Sequence, residues 1–415
     1  MFTYLYYLNC ENIEKALTTQ GDIFDKLLDI KFDSKERRNG ILPLLHDNSI
    51  DIVERKKLLN IFCLENHFNE LIKNLIRDDV NNVNDFGWVK YITYFIESEE
   101  CKISHLNNKY DYGYEYVGLY NNFFIPQQTE RVFVALSNNI FNKKPSFVYG
   151  LPETGKSETM NILSKMFGKS LITFECTNSM DEKTFERLLS GLFKSGNWIC
   201  LDGIDSLPIN MLSICAQKII NIYREIVLKS ETKINKKVQI FCISNITCKS
   251  NISDNMKHYF RLVGVAVPEL SYFINFTLRN LGIQNKSNIT RKIKYCIEFL
   301  NTKINVISGK RIGLFIYNKF LKLFEKSIRG IKDTSDESII SDICKKCLEH
   351  SFLPILNHQE TEETQRFLNN VFNIKDKSSN NANLDLDYLD ELIDNVLKNF
   401  HFSNNNFKNQ IKRVR

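Results

Sequence analysis

Residues 150–159 read Gly-Leu-Pro-Glu-Thr-Gly-Lys-Ser-Glu-Thr, and the spacing of Gly150, Gly155, Lys156 and Ser157 is that of a loop that grips phosphate. In such a loop the backbone N–H groups face phosphate oxygens, the lysine reaches the β- and γ-phosphates, and the serine hydroxyl coordinates Mg²⁺. The candidate nucleotide-binding set is therefore Gly150, Thr154, Gly155, Lys156, Ser157 and Glu158, with ATP and Mg²⁺ as the expected ligands. The flanks suit this chemistry. The run Pro145 to Gly150 reads as a short buried strand, and Ile162, Leu163, Met166 and Phe167 recur at helical spacing. A loop between strand and helix places the positive end of the helix dipole on the phosphates. The alternative is a glycine-rich surface turn ahead of an amphipathic helix.

A second acidic position is needed to hold the metal, and Asn-Trp-Ile-Cys-Leu-Asp (197–202) is an apolar strand ending on Asp202. Ser157 and Asp202 are thus the candidate Mg²⁺ positions. The position after Asp202 is where a glutamate would polarise the attacking water, but it is Gly203. Asp205 could reach that water only if the loop folded back. Asn245 ends the next apolar strand, where it either orients the γ-phosphate or simply terminates the strand in a turn. Arg261 precedes another strand, and Arg311 opens a helix in Ser-Gly-Lys-Arg-Ile-Gly (308–313). Each is either a phosphate-sensing arginine or a solvated surface one.

Positioning these groups takes a sheet with crossover helices. Between Phe147 and Val267, "SFVYG", "LITFEC", "WICLD", "VQIFCISN" and "LVGVAVP" alternate with helical patterns, which predicts a mainly parallel α/β sheet covered on both faces. Ile13 to Val80 is helical in period. The aromatic-rich stretch from Trp88 to Phe124 alternates like strands or extended segments. Ser271 to Phe372 shows only helical patterns. After Lys375 the chain turns polar before a final helix, Tyr388 to Phe400. The expected division is a helical region over 1–110, an α/β nucleotide-binding domain over 111–270, a helical lid over 271–375 and a connector over 376–415.

The chain has 415 residues and 43% hydrophobic content, enough for a sizeable core. Its 55 basic and 49 acidic residues leave +6, too weak a bias to indicate nucleic-acid or membrane partners. Eleven cysteines without framework spacing predict reduced thiols in a cytosolic compartment. The first fifteen residues lack a basic n-region, and no run approaches the ~20 apolar residues of a membrane span. Cys344, Cys347 and His350 resemble half a zinc site without a second ligand pair, on what reads as an amphipathic helix.

Taken in order, "VNNVNDFGWVKYITYF", "YDYGYEYVG", "GLPETGKSET", "LLSGLFKSGNWICLDGID", "LSICAQKI" and "NISDNMKHYFRLVGVAVPE" resemble the dynein heavy chain at the end of its linker and its first AAA+ module. "SGKRIGLFIYNKFL", "CLEHSFLPIL" and "LDLDYLDELIDNVL" extend the resemblance into the lid and the connector toward a second module, so that it covers about Glu54 to Phe402. It implies a P-loop AAA+ domain with a helical lid and an N-terminal helical linker segment, in an ATP-driven, minus-end-directed microtubule motor. By the same resemblance Asn245 is the sensor, Arg311 the lid sensor, and Arg261 faces an adjacent module. Pro126, Thr129 and Arg131 match the segment that leads over the adenine. The implied partners are the remaining motor modules and, through the full complex, intermediate and light intermediate chains and microtubules, in the cytoplasm on the cytoskeleton. Two departures stand out: Gly203 replaces the glutamate, and Ile246 to Ser250 replaces a glycine-rich turn after Asn245. The strings end where a second module would begin, so the other modules, the stalk and the track-binding tip are expected elsewhere. The alternative is a structural or regulatory module that holds ATP without efficient hydrolysis.

Overall fold

The computed structural model describes residues 2–19, 21–47, 49–120, 123, 125–227, 237–245, 254–281, 283, 286–308, 314–329, 337–356 and 358–372. The chain divides into two units, Met1–Val371 and Phe372–Arg415. Except for Phe372, the second lies outside the described residues, as does the expected connector.

Three long helices open the chain: α1 (Phe2–Thr18), α2 (Ile23–His46) and α3 (Ile52–Arg77). Asp22 and Asp51 start the second and third by accepting hydrogen bonds from Phe24 N–H and Val53 N–H, a cap each worth about 1 kcal/mol. α2 and α3 pack side by side. Glu65, almost fully buried on α3, is held by Ser34 Oγ (2.8 Å) and by Arg37 Nε and Nη2 from α2. A short helix α4 (Phe86–Val89) leads into a meander of β1 (Thr93–Glu97), β2 (Glu100–His105) and β3 (Asn108–Asp111). Both meander turns have two residues at positive φ, Ser98-Glu99 and Leu106-Asn107, the twist a tight hairpin needs.

Next come α5 (Gln127–Phe141), β4 (Ser146–Tyr149), α6 (Lys156–Met166), β5 (Leu171–Glu175), α7 (Glu182–Ser195), β6 (Trp198–Asp202), α8 (Ile209–Val227), β7 (Gln239–Ser244), α9 (Asp254–Tyr259) and β8 (Arg261–Gly264). The five strands are those expected from the apolar runs. They form one parallel sheet in the order β5-β6-β7-β4-β8. Parallel strands buried on both faces read as continuous apolar runs, and β7 is buried at all six positions. One face packs against Phe185, Leu189 and Phe193 of α7 and Ile219 of α8. The other shares its core with Tyr6 and Ile13 of α1, Phe68 of α3, Tyr94 of β1 and Leu163 of α6.

Helices α10 (Leu270–Asn280), α11 (Lys286–Ser308), α12 (Leu314–Arg329), α13 (Glu337–Phe352) and α14 (His358–Phe372) follow. Arg279 of α10 pairs with Glu70 of α3, joining the C-terminal helices to the N-terminal ones. Cys344 and Cys347 are buried in α13, where desolvation pushes both thiols up, and His350 is exposed. No described helix is long and apolar enough to cross a membrane.

Candidate functional site

The phosphate-type loop lies where β4 hands over to α6, at the C-terminal edge of the sheet, the end at which open α/β sheets bind ligands. A Cβ on Gly150 would stand 2.6 Å from the Val265 carbonyl oxygen, so only glycine lets the loop leave β4 beside β8. Gly155, at φ 84°, caps α6. Thr154 Oγ1 and Thr159 Oγ1 donate to the carbonyls of Leu151 (3.0 Å) and Gly155 (2.8 Å), and both residues are buried. The first N–H to close a helical turn is that of Thr159, onto Gly155 O. The N–H groups ahead of it are those a helix end offers to an anion.

Lys156 is only 5% exposed, and its ammonium donates to Leu151 O (2.6 Å) and Gly150 O (3.2 Å). Burial lowers its pKa, while the charges of Asp202 and Asp205 act in the opposite direction. Both carboxylates therefore lie within electrostatic reach of the ammonium. Ser157 Oγ donates to Asp202 Oδ2 at 2.5 Å. Asp202 closes β6 between Glu175 of β5 and Ile243 of β7. Gly150, Thr154, Gly155, Lys156, Ser157 and Asp202 are thus brought to one place, and Glu158 stands exposed in the first turn of α6. A serine hydroxyl and a carboxylate in contact are hard oxygen donors, the set that suits Mg²⁺.

Gly203 lies in the left-handed region at φ 68°, ψ 35°, and starts a single 3₁₀ turn, Ile204–Ser206. That turn folds the loop back, and Asp205 Oδ1 accepts the Asn245 backbone N–H at 3.2 Å. Asn245 is exposed at the end of β7, while residues 246–250 lie outside the described residues. The link between the β6 and β7 ends went unread in the sequence, because it joins side chain to backbone across forty positions.

Arg261 is elsewhere. It opens β8 opposite Ser146, three registers before Tyr149 pairs with Gly264. It is exposed at the N-terminal edge, about 10 Å along the strand from the level of the loop. Arg311 lies outside the described residues. Pro126 is buried and caps α5, accepting the Thr129 N–H at 2.8 Å; Arg131 is exposed.

Behind α5 the structure shows a polar seam that sequence reasoning missed. Burial raises the Glu130 carboxyl to about 7, against the opposing charge of Lys90. His105 is 1% exposed; its Nε2 sits 2.9 Å from Lys90 O and its Nδ1 has no partner among the described residues. The ring is therefore neutral, with the proton on Nε2, and burial lowers its pKa to about 4. His67, ringed by Tyr6, Phe68 and Phe123, is lowered to about 4 for the same reason.

The family model described as the hydrolytic ATP-binding site of the dynein motor region matches residues 112–414. The chain belongs to the dynein heavy chain family. Similar relatives include the Dynein-1-beta heavy chain of the flagellar inner arm I1 complex of Chlamydomonas reinhardtii, 25% identical over 74% of this chain. Dynein axonemal heavy chain 1 of Homo sapiens is 27% identical over 62%, and the dynein heavy chain-like protein 1 of Plasmodium falciparum 28% over 71%. The chain spans only 6–7% of the length of these relatives. Among solved structures, the Holliday junction branch migration motor RuvB of Thermotoga maritima covers 55% of this chain and 70% of its own at 13% identity, with a TM-score of 0.38. The AAA+ fold of the dynein-type module stands on the family match and the strand order.

Proposed function

We propose that this chain is the ATP-binding part of a dynein motor, a Mg²⁺-dependent nucleotide module that acts with further modules of a heavy chain in movement along microtubules. The observation that carries the reading is the cluster at the β4–α6 junction: a buried ammonium on the loop carbonyls and a serine in contact with a strand-end aspartate. Lys156 exchanges its two carbonyl partners for phosphate oxygens, and the first turn of α6 orients them. Ser157 and Asp202 would hold Mg²⁺, which neutralises phosphate charge when bound. Asn245 and Arg311 would sense the γ-phosphate in this site. Arg261, at the opposite edge, faces outward to a neighbour. Pro126 and α5 border the adenine. The domain division of the sequence, with residues 1–110 as a linker end, 271–375 as the lid and 376–415 as the connector, belongs to the same reading. So do the partners: the other motor modules, the intermediate and light intermediate chains and the cytoskeletal location.

Titration with a fluorescent ATP analogue, with Mg²⁺ and with chelator, tests the site. Lys156→Ala removes a charge-assisted contact of roughly 1.5–3 kcal/mol, which weakens binding about tenfold to a hundredfold. Equal affinity in wild type and variant overturns the assignment. A second reading, a module that holds ATP without efficient hydrolysis, rests on Gly203, which offers no carboxylate and occupies a left-handed backbone position. Single-turnover hydrolysis of bound ATP separates the two.

A further inference from the structure

At the N-terminal edge of the sheet, opposite the phosphate loop, lies a concavity of about 480 Å³ between the starts of β4 and β8 and the ends of α8 and α9. Its floor is apolar and aromatic, made by Pro145, Ile220, Tyr223 and Phe260. Five of its lining residues are Lys or Arg and none is Asp or Glu. Lys143, Lys144, Arg224 and Arg261 are exposed. Lys257 is half-buried and pairs with Asp254 (2.9 Å), and Arg224 lies over the Tyr259 ring.

The bland account of such cations is that they complement helix C-termini. α5, α8 and α9 all end near this edge, and each helix end carries about half a negative charge, roughly 1.5 in total. That is too little for five cations, even with Asp254 on Lys257 and with Asp111, whose charge reaches Lys143. A net positive field remains over an apolar floor. Phosphate sites use backbone N–H groups at helix N-termini, whereas here the helices present their carbonyl ends. The lining suits a ligand whose negative charges are spaced along an apolar stem.

We propose that this groove docks an acidic polypeptide segment in which carboxylate and apolar side chains alternate, with the carboxylates on Lys144, Arg224 and Lys257 and the apolar side chains on the Tyr223–Phe260 floor. The site is separate from the phosphate loop and does not depend on nucleotide.

The test uses the full chain and a fluorescein-labelled twelve-residue peptide of Glu-Leu-Glu-Ser repeats, read by anisotropy. Saturable binding is expected, weakened at least tenfold by the pair Lys144→Glu and Arg224→Glu and weakened as salt rises. Lys183→Glu, an exposed change on α7, should leave it unaltered. The pair Lys144→Gln and Arg224→Gln repeats the measurement without charge reversal, and circular dichroism melts confirm folding. ATP affinity should be the same in all variants. The proposal is overturned by no binding, by binding indifferent to both pairs, or by equal binding of a Lys-for-Glu peptide. It is also overturned if inorganic tripolyphosphate displaces the peptide completely at matched charge, which would mark a plain phosphate site.

Discussion

Substituting Gly203 by alanine, asparagine and glutamate separates a backbone cost from a chemical gain. At φ 68° any residue with a Cβ is strained, by about 1–2 kcal/mol for alanine or glutamate and less for asparagine, which tolerates the left-handed region. Space is not the obstacle. A Cβ there meets Ser206 Oγ at 3.6 Å and Cys176 O at 3.8 Å, both ordinary van der Waals contacts. Alanine and glutamate should therefore lower the unfolding free energy equally, by about 1–2 kcal/mol in urea titrations. Glutamate alone adds a carboxylate one residue past Asp202. A positioned general base is worth typically 10²–10⁴ in rate, so single-turnover hydrolysis should rise by about 10² or more in Gly203→Glu and stay flat in Gly203→Ala. Three results refute the reasoning: equal acceleration by alanine, no acceleration by glutamate in a protein that still binds ATP, or no stability loss in either.

Asp202→Asn should abolish most of the Mg²⁺ dependence of nucleotide binding while sparing metal-free binding, measured by titration with and without chelator. Asp205→Ala releases the Asn245 N–H and removes one of the two carboxylates that favour the charged form of Lys156; the Lys156 pKa, followed by NMR of a labelled side chain, should fall. Stability should also depend on acid. His67 and His105 have folded pKa values near 4, below their usual 6.5, so the stability they contribute is present above 6.5 and lost as pH falls. Glu130, raised to about 7, works in the opposite sense, its penalty growing as pH rises from 4.5 to 7. Between pH 4.5 and 6.5 two imidazoles outweigh one carboxyl, and these three groups leave a net slope of about 1.4 kcal/mol per pH unit. His105→Gln should cancel that slope in urea titrations across the window, and an unchanged slope would rule the seam out as its source. Arg279→Ala leaves Glu70 with Lys73 as its ion-pair partner among the described residues and should lower unfolding free energy by about 1 kcal/mol, read from denaturant midpoints.

The sheet was legible because its strands are buried on both faces and so read as uninterrupted apolar runs: "WICLD" and "VQIFCIS" show this in the sequence itself. The phosphate loop was legible because its residue types are dictated by local backbone geometry. The β1–β3 meander was harder to read. Its turns place Ser98, Glu99 and Leu106 at positive φ, without the Asn-Gly or Asp-Gly pair that marks a tight hairpin, so the segment gave only a general extended character. Glu130 and His105 could not be placed together in advance, since nothing local in either stretch reveals that both line one small cavity. For Asp205 the sequence leaves open whether the loop folds back; the left-handed turn at Gly203 folds it, and brings the carboxylate to the Asn245 N–H.

The far end of α6 has its own significance. Tyr94 Oη donates to Met166 O at 2.7 Å, Gly113 N–H to Phe167 O, and Glu115 N–H to Gly168 O; the Glu115 carboxylate also takes Lys169 and the Ser170 N–H. The helix that begins at Lys156 is thus clamped at its tail by β1 and by the extended chain that follows β3. It spans eleven residues, about 16 Å of stiff rod. α1 reaches the same place through Tyr6, whose hydroxyl donates to Ile92 O at 2.9 Å, just before β1. One run of hydrogen bonds therefore ties the far end of the loop's own helix to the meander and to α1, so these elements share a single frame.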